Sequence, residues 1–263
     1  MSDVGRSGLQ FMSDRKTATA AEMRDLVAAT RTDDESWFTF GDRQVTANEL
    51  RDLLSPHVSE ARKHTMERVL DDRTESVAVV IEGMVDLGNV SAVMRTADGF
   101  GIQRIHSIDT AEKYKRSKRT TQGADKWVDR YRWESTEDCY SHLAADGYRI
   151  VAADIGEDAQ PLSRVDLTDR CALVFGNELE GLSALAKERA DARVTIPMGG
   201  FTESFNISVA AAIVLYETSR QRTEQLGAMG DLSPAARDRI RAVWYAKSVP
   251  NMRSVVEHKL SVA

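Results

Sequence analysis

Apolar and polar residues follow two periods along this chain. Between residues 76 and 197, short β-branched runs recur, and SVAVVIE, RIHSI, YRIVAAD, CALVFG and ARVTIP predict buried strands. Runs with helical spacing separate them, including NVSAVMRTADGFG, STEDCYSHLAADG and LSALAKERA. Strands that alternate with helices and are apolar on both faces predict an α/β fold, with a parallel sheet covered by helices on both faces.

The two ends of the chain follow a helical pattern instead. AAEMRDLVAAT, VTANELRDLLS and SEARKHTMERVLDD predict helices, WFTF predicts a short strand, and SPAARDRIRAVWYAK predicts a late helix before a poorly ordered tail at residues 248–263. We therefore expect a mostly helical N-terminal extension over residues 1–75. A central domain follows over residues 76–222, and a C-terminal helical extension with its tail covers residues 223–263.

Composition narrows the class of protein. No apolar run approaches the ~18–20 residues of a membrane span, and the N-terminus lacks the regions of a signal peptide. Cys139 and Cys171 lie far apart without a CxxC or Cys/His cluster, which predicts a cytoplasmic protein without a metal site. The chain also lacks GxGxxG after its first strand and GxxxxGK[ST], which argues against a usual dinucleotide site and a P-loop.

Charge is unevenly distributed. The net charge is −6, but the segment Lys113–Arg132 carries eight Lys or Arg against two Asp. An acidic protein with such a basic segment can still bind a polyanion locally.

Three polar clusters stand beside the predicted strands. In DLGNVSAVMRTAD, Asn89 and Arg95 lie at the start of a helix, where anions bind. The alternative is that Asn89 caps the helix and Arg95 forms a surface ion pair. In VFGNELEGL, Gly176 would let a ligand approach the backbone, and Glu178 follows it in an acidic loop. In GGFTESFNISVAAAIVLYE, Ser204 and Asn206 suit the cap of a buried helix.

Together, NVSAVMRTADGFG, FGNELEGLS and IPMGGFTESFNISVAAAIVLYE resemble the SpoU (TrmH-type) family of RNA ribose 2′-O-methyltransferases in the SPOUT superfamily. The resemblance covers residues 60–225, and TTQGADKWV is similar to the tRNA guanosine-18 branch. It implies a C-terminal trefoil knot, S-adenosylmethionine as methyl donor, and a homodimer with the active site at the subunit interface. The first 55 residues or so resemble no family.

The resemblance also implies which residues hold the cofactor. They are Ala153, Gly176, Ile196, Met198 and Phe205, with Gly199 and Gly200 giving the adjoining loop its freedom to turn. Phe205 stands where the family often has Leu, and Glu203 where a neutral residue is common.

The implied chemistry is methyl transfer to a ribose 2′-hydroxyl, a poor nucleophile that must be deprotonated or polarised. Arg95 is the implied catalytic residue, either as a literal base or, since guanidinium stays protonated, as a group that binds phosphate and stabilises the developing alkoxide. Asn89 would orient Arg95 or the ribose. Glu178 would hold the second loop, and Ser204 and Asn206 the third, although capping explains Ser204 almost equally well.

The predicted function is 2′-O-methylation of guanosine 18 in the tRNA D-loop. Two alternatives stay open: methylation of ribosomal RNA or another tRNA position, and a non-catalytic RNA-binding protein on the same fold. Trp127 and Tyr131 would stack on a base or pack in the core. The predicted RNA-binding residues are Arg62, Lys63, Arg68, Lys115, Arg116, Lys118, Arg119 and Lys126.

Overall fold

The computed structural model describes residues 37–83, 86–108, 126–177 and 180–262. These residues form two compact units, one of residues 73–229 and one of residues 37–72 with 230–262. The helix predicted at AAEMRDLVAAT lies outside the described residues.

The strands of the described chain are short. They are β1 (Trp37–Phe40), β2 (Arg43–Thr46), β3 (Thr74–Glu82), β4 (Ile102–Ile108), β5 (Asp129–Trp133), β6 (Arg149–Ala153), β7 (Gln160–Pro161), β8 (Cys171–Phe175) and β9 (Ala192–Thr195).

The helices mostly begin at a polar residue whose side chain accepts a hydrogen bond from the first turn, as at Asp86, Ser135 and Ser183. They are α1 (Ala47–Leu54), α2 (Glu60–Asp71), α3 (Leu87–Gly99), α4 (Thr136–Ala145), α5 (Ala184–Glu188), α6 (Ile207–Leu226), α7 (Pro234–Ser248) and α8 (Met252–Val262).

The larger unit is built on a seven-stranded sheet in the order β5-β4-β3-β8-β6-β9-β7, in which every neighbouring pair is parallel. Side chains of one face pack with α3 and α6, and those of the other face pack with α4 and α5. The strands β4 and β8 are buried throughout, as a sheet covered on both faces requires. The predicted α/β fold with a parallel sheet is therefore confirmed.

Two strands of this sheet were not predicted. β5 has the sequence DRYRW, whose charged residues hide its strand pattern, and it lies at the sheet edge beside β4. β7 has two residues and, among the described strands, pairs with β9 alone. Both are edge strands, where one side stays free of backbone pairing and polar residues are tolerated.

The smaller unit combines both ends of the described chain. β1 and β2 form an antiparallel hairpin, and α1 begins at a capping box in which Thr46 and Glu49 exchange hydrogen bonds of 3.1 and 2.7 Å. Helix α1 packs against α7 and α8. Arg241 and Arg237 bind Glu67 and hold the pKa of that carboxyl below its usual value.

The prediction of a poorly ordered tail over residues 248–263 is wrong for its described part. Residues Met252–Val262 form α8, which buries Met252 and Val256. Its two apolar anchors are four residues apart, the spacing of one helix face, and this short signal was overlooked beside the polar residues around it.

Candidate active site

Three predicted cofactor-binding residues lie at the carboxyl ends of neighbouring strands. Ala153 is the last residue of β6, Gly176 directly follows β8, and Ile196 directly follows β9. β6 pairs with both β8 and β9. Because paired strands lie about 4.8 Å apart, the three backbones form one continuous edge. This is the edge at which open α/β sheets bind ligands.

The first and third sequence clusters meet at this edge through one hydrogen bond. Asn206 Nδ2 donates to Asn89 Oδ1 at 3.1 Å. Asn89 lies in the first turn of α3, which follows β3, and Asn206 immediately precedes α6, which packs against α3. The fold thus brings two predicted catalytic residues into direct contact.

Asn206 is also the cap of α6. Its Oδ1 accepts hydrogen bonds from the backbone nitrogen of Ser208 at 2.8 Å and from Ser208 Oγ at 2.6 Å. One side chain therefore both caps the helix and holds Asn89, so the structural and functional interpretations are compatible. Ser204 is exposed and lies before this cap, so capping does not explain it.

Arg95 is exposed on α3 and forms neither a hydrogen bond nor an ion pair with another residue of the described chain. The surface ion pair considered as its alternative role is therefore absent from that part of the structure. At about 100° per residue, Arg95 lies roughly 120° around the helix from Asn89. Arg95 is available to an external anion.

The loop after β8 closes on itself. Asn177 pairs with Gly181, and its Oδ1 accepts a hydrogen bond from the backbone nitrogen of Glu180 at 2.8 Å. A Cβ on Gly176 would lie 2.2 Å from the carbonyl carbon of Gly181, a distance that real side chains do not adopt. Gly176 is thus required for the loop's own closure, a role that differs from the predicted approach of a ligand. Glu178 lies outside the described residues.

The segment between Ile196 and α6 is open. Met198 is half-buried, residues 199–206 are exposed, and Phe201 and Phe205 present their rings to solvent, with Phe205 40% exposed. Neither Gly199 nor Gly200 has a positive φ, and an added Cβ would meet nothing nearer than 3.9 Å. The expectation that these glycines are needed for a sharp turn is therefore wrong for this conformation.

One buried residue beside the site was missed. Glu82 ends β3, is 2% exposed, and accepts hydrogen bonds from Thr136 and Ser183. The available signal was a charged residue closing the otherwise apolar run SVAVVIE.

The predicted RNA-binding residues lie in different parts of the chain, and four of them are outside the described residues. Lys126 is described, and its Nζ lies 5.0 Å from the centre of the Trp127 ring. Arg62, Lys63 and Arg68 lie on α2 in the smaller unit, where Lys63 pairs with Glu60 at 2.7 Å. Lys115, Arg116, Lys118 and Arg119 lie outside the described residues.

The basic segment ends inside the sheet, since residues 129–132 belong to β5. Tyr131 stacks on His106 with ring centres 4.6 Å apart, which favours its packing role over base stacking. Burial lowers the pKa of His106 to about 3, with smaller contributions from His142 and Arg104. This ring is therefore neutral at pH 7. Burial likewise raises the pKa of Cys171 to about 12, consistent with a structural thiol.

Neither a metal site nor a membrane helix occurs among the described residues. They hold no cluster of three His, Cys, Asp or Glu side chains suited to a metal ion. No helix in this part of the chain combines the length and apolar character needed to cross a bilayer.

A parallel sheet that is covered by helices on both faces, with polar loops at the carboxyl ends of its strands, places the larger unit among the α/β proteins of the doubly wound type. Residues 76–216 match the model of the SpoU rRNA Methylase family. The chain belongs to this family, as its motifs predicted. It is 32% identical over 204 residues to the tRNA (guanosine(18)-2'-O)-methyltransferase of Borreliella burgdorferi, covering 77% of this chain and 93% of that protein.

Solved structures agree with this assignment. The Aquifex aeolicus TrmH/SpoU tRNA modifying enzyme superposes with a TM-score of 0.65 at 32% identity, over 71% of this chain and 95% of that one. AviRb, a SpoU methyltransferase from Streptomyces viridochromogenes in complex with AdoMet, has a TM-score of 0.53 at 27% identity, over 59% of this chain and 62% of that one.

Proposed function

We propose that this chain is an S-adenosylmethionine-dependent RNA 2′-O-methyltransferase that methylates guanosine 18 of tRNA. The observation that carries the proposal is the Asn206–Asn89 hydrogen bond, because it joins two motifs of the family at the ligand-binding edge of the sheet. The guanosine-18 relative supports the choice of nucleotide. We assign the activity to residues 76–222 and place the protein in the cytoplasm with its substrate.

The residues at the edge fit the cofactor. Main-chain groups of Ala153, Gly176 and Ile196 offer donors and acceptors to an adenosine, and the half-buried Met198 and exposed Phe205 offer apolar surface to it. When bound, S-adenosylmethionine would supply a methyl group on a sulfonium: the ribose oxygen would take the methyl as the carbon–sulfur bond breaks, and the hydroxyl proton would pass to water. Phe205 keeps the pocket wall apolar, and Glu203 adds a negative charge beside it.

Arg95 is the proposed catalytic residue. Its exposed guanidinium is a permanent cation, suited to bind the phosphate beside the target ribose and to stabilise negative charge on the attacking oxygen. Asn89, fixed by Asn206, would orient the ribose. Ser204 and Glu178 would hold the two loops around the site. Because a guanidinium resists deprotonation, we favour charge stabilisation over a literal base.

The basic groups named from the sequence would hold the RNA backbone. Contacts of Lys and Arg with phosphates give affinity without reading bases, which suits residues spread over a segment and a helix. We assign this role to Arg62, Lys63, Arg68, Lys115, Arg116, Lys118, Arg119 and Lys126.

We also propose that the C-terminal part of the sheet forms a trefoil knot. β9 pairs between β6 and β7, although the chain runs from β6 to β7 before it forms β9. Because β9 lies between two strands that the chain has already connected, this order supports threading of the chain through the connection between β6 and β7.

We further propose a homodimer with the active site at its interface. Phe205, Val209 and Tyr216 are 40%, 44% and 61% exposed. The spacing of seven residues places Val209 and Tyr216 on one side of α6, and Phe205 stands two residues before the helix begins. An apolar stripe exposed on one helix is suited to pack against its own copy across a twofold axis.

The experiment uses purified protein, tritiated S-adenosylmethionine and three transcripts. These are a tRNA with guanosine 18, the same tRNA with 2′-deoxyguanosine at position 18, and a ribosomal RNA. We expect label only in the first, because the second lacks the accepting hydroxyl. Equal label in both tRNAs would refute the position, and label only in ribosomal RNA would refute the substrate. Binding of tRNA without any transfer would favour the non-catalytic alternative.

A further inference from the structure

Glu82 is a buried carboxylate without a cation beside it in the described chain. It is 2% exposed at the end of β3. Oε1 accepts hydrogen bonds from Thr136 Oγ1 and, at 2.8 Å, from Ser183 Oγ; Oε2 accepts one from the backbone nitrogen of Ser183 at 2.8 Å. Burying an ionised group without a counter-ion is unfavourable, so stability alone gives little reason for a carboxylate here.

A carboxylate is suited to this place because it presents only acceptors. Ser183 directs two donors toward it, its backbone nitrogen and its hydroxyl, while the hydroxyl oxygen accepts from the backbone nitrogen of Ala186 at 3.1 Å. A glutamine of the same shape would point its NH₂ group either at the backbone nitrogen of Ser183 or at both hydroxyls, so at least one of the three donors would lose its acceptor. The carboxylate therefore fixes Ser183 through both its main chain and its side chain.

The position of Ser183 sets that of Gly176. Leu182, the neighbour of Ser183, is buried, and Gly181 pairs with Asn177 across the loop. The Gly181 carbonyl lies directly against Gly176, with no room for a Cβ between them. A shift of Ser183 would thus be passed through the buried Leu182 and through Gly181, whose carbonyl lies against Gly176, to the Gly176 backbone.

We propose that Glu82 is a positioning residue that sets the Gly176 backbone for cofactor binding. This inference rests on the proposed function, since it requires that Gly176 contact S-adenosylmethionine. Glu82 itself lies beneath the loop and acts through Ser183.

The test compares Glu82→Gln with Glu75→Gln. Glu75 lies near the other end of β3, is also largely buried, and accepts a hydrogen bond from Arg104 at 3.1 Å. Calorimetry with S-adenosylmethionine and steady-state kinetics with tRNA are measured for both. We expect Glu82→Gln to weaken cofactor affinity and raise the cofactor KM about tenfold, the effect of one mismatched buried donor. The tRNA KM should stay unchanged, and Glu75→Gln should alter neither KM.

A Glu82→Gln variant that binds the cofactor as tightly as Glu75→Gln, or that raises both KM values equally, would overturn the proposal. Ser183→Ala, which removes one of the three hydrogen bonds to Glu82 together with the side-chain cap of α5, serves if Glu82→Gln does not fold, and it should give a smaller rise of the same KM.

Amide hydrogen exchange separates this proposal from the proposed function. In Glu82→Gln the protection of the Ser183 amide should fall, while in Glu75→Gln it should not. A wild-type protein that binds no S-adenosylmethionine would refute the proposed function. Unchanged protection of Ser183 in Glu82→Gln would refute the positioning role whether or not the wild type binds the cofactor.

Discussion

Two glycine-containing connections leave the same edge of the sheet and are built in opposite ways. The loop after β8 is closed: Gly181 presses on Gly176, and Asn177 binds the loop backbone. The segment after β9 is open: residues 199–206 are exposed, and both Gly199 and Gly200 have space around them. One connection is determined by its own packing, whereas the other keeps its polar and aromatic groups accessible.

The difference teaches that a glycine in a motif has more than one physical meaning. At Gly176 the missing Cβ is a steric requirement of the folded chain. At Gly199 and Gly200 the described conformation makes no such demand, so any need for glycine there must arise in another state, such as the complex with a ligand. Substitutions in the closed loop should therefore lower stability, whereas those in the open segment before the helix cap Asn206 should cause no loss of stability.

The largest effect is expected for Gly176→Ala. Its Cβ would overlap the backbone of Gly181 and Leu182, which cannot move aside as a side chain would. We expect a loss of about 3–5 kcal/mol in the free energy of unfolding, typical of severe overpacking combined with backbone displacement. Urea denaturation followed by circular dichroism measures it. A loss below about 1 kcal/mol would show that the loop is not closed in solution.

Arg95→Ala should have the opposite profile. Because Arg95 is exposed and has no partner in the described chain, the free energy of unfolding should change by less than about 0.5 kcal/mol. kcat should fall about 10²–10³-fold, the usual loss when one charge-stabilising group is removed. Arg164→Ala, an exposed arginine in a turn of the same unit, is the matched control and should keep full activity. Equal activity of the two variants would remove Arg95 from the mechanism.

Substitutions of Asn206 should affect both stability and activity, because its side chain caps α6 and also binds Asn89. Asn206→Ser should preserve the helix cap but lose the hydrogen bond to Asn89, whereas Asn206→Ala loses both. We expect a loss in the free energy of unfolding of about 0.5 kcal/mol for Asn206→Ser and about 1–2 kcal/mol for Asn206→Ala. Methyltransferase activity should fall to a similar extent in both variants, because both lose the hydrogen bond to Asn89.

A double-mutant cycle with Asn89→Ala isolates the contact between the two asparagines. A coupling free energy of about 0.5–1 kcal/mol is expected. Additive losses would mean that the two side chains do not interact in solution.

Much of this architecture could be predicted from local pattern. An apolar run such as CALVF is typical of a buried strand, and the start of α6 could be predicted from the polar cap residue Asn206 that precedes it. The contact between Asn89 and Asn206 was beyond local pattern, because it depends on how α3 and α6 pack after β3 and β9 are placed. The crowding of Gly176 was beyond local pattern for the same reason, since it comes from Gly181, five positions away, where the loop returns.

The smallest effects are expected for Gly199→Ala and Gly200→Ala, the same change as Gly176→Ala on the open connection. With a permitted backbone and space for the methyl group, each should leave the free energy of unfolding unchanged or raise it by about 0.4–1 kcal/mol, because alanine restricts the unfolded chain more than glycine does. Denaturation under the conditions used for Gly176→Ala measures this directly. A destabilisation comparable to that of Gly176→Ala would refute the claim that the segment after β9 is less tightly packed than the loop after β8. Unchanged stability with a raised cofactor KM would show that this segment uses its glycines only when it closes on its ligand.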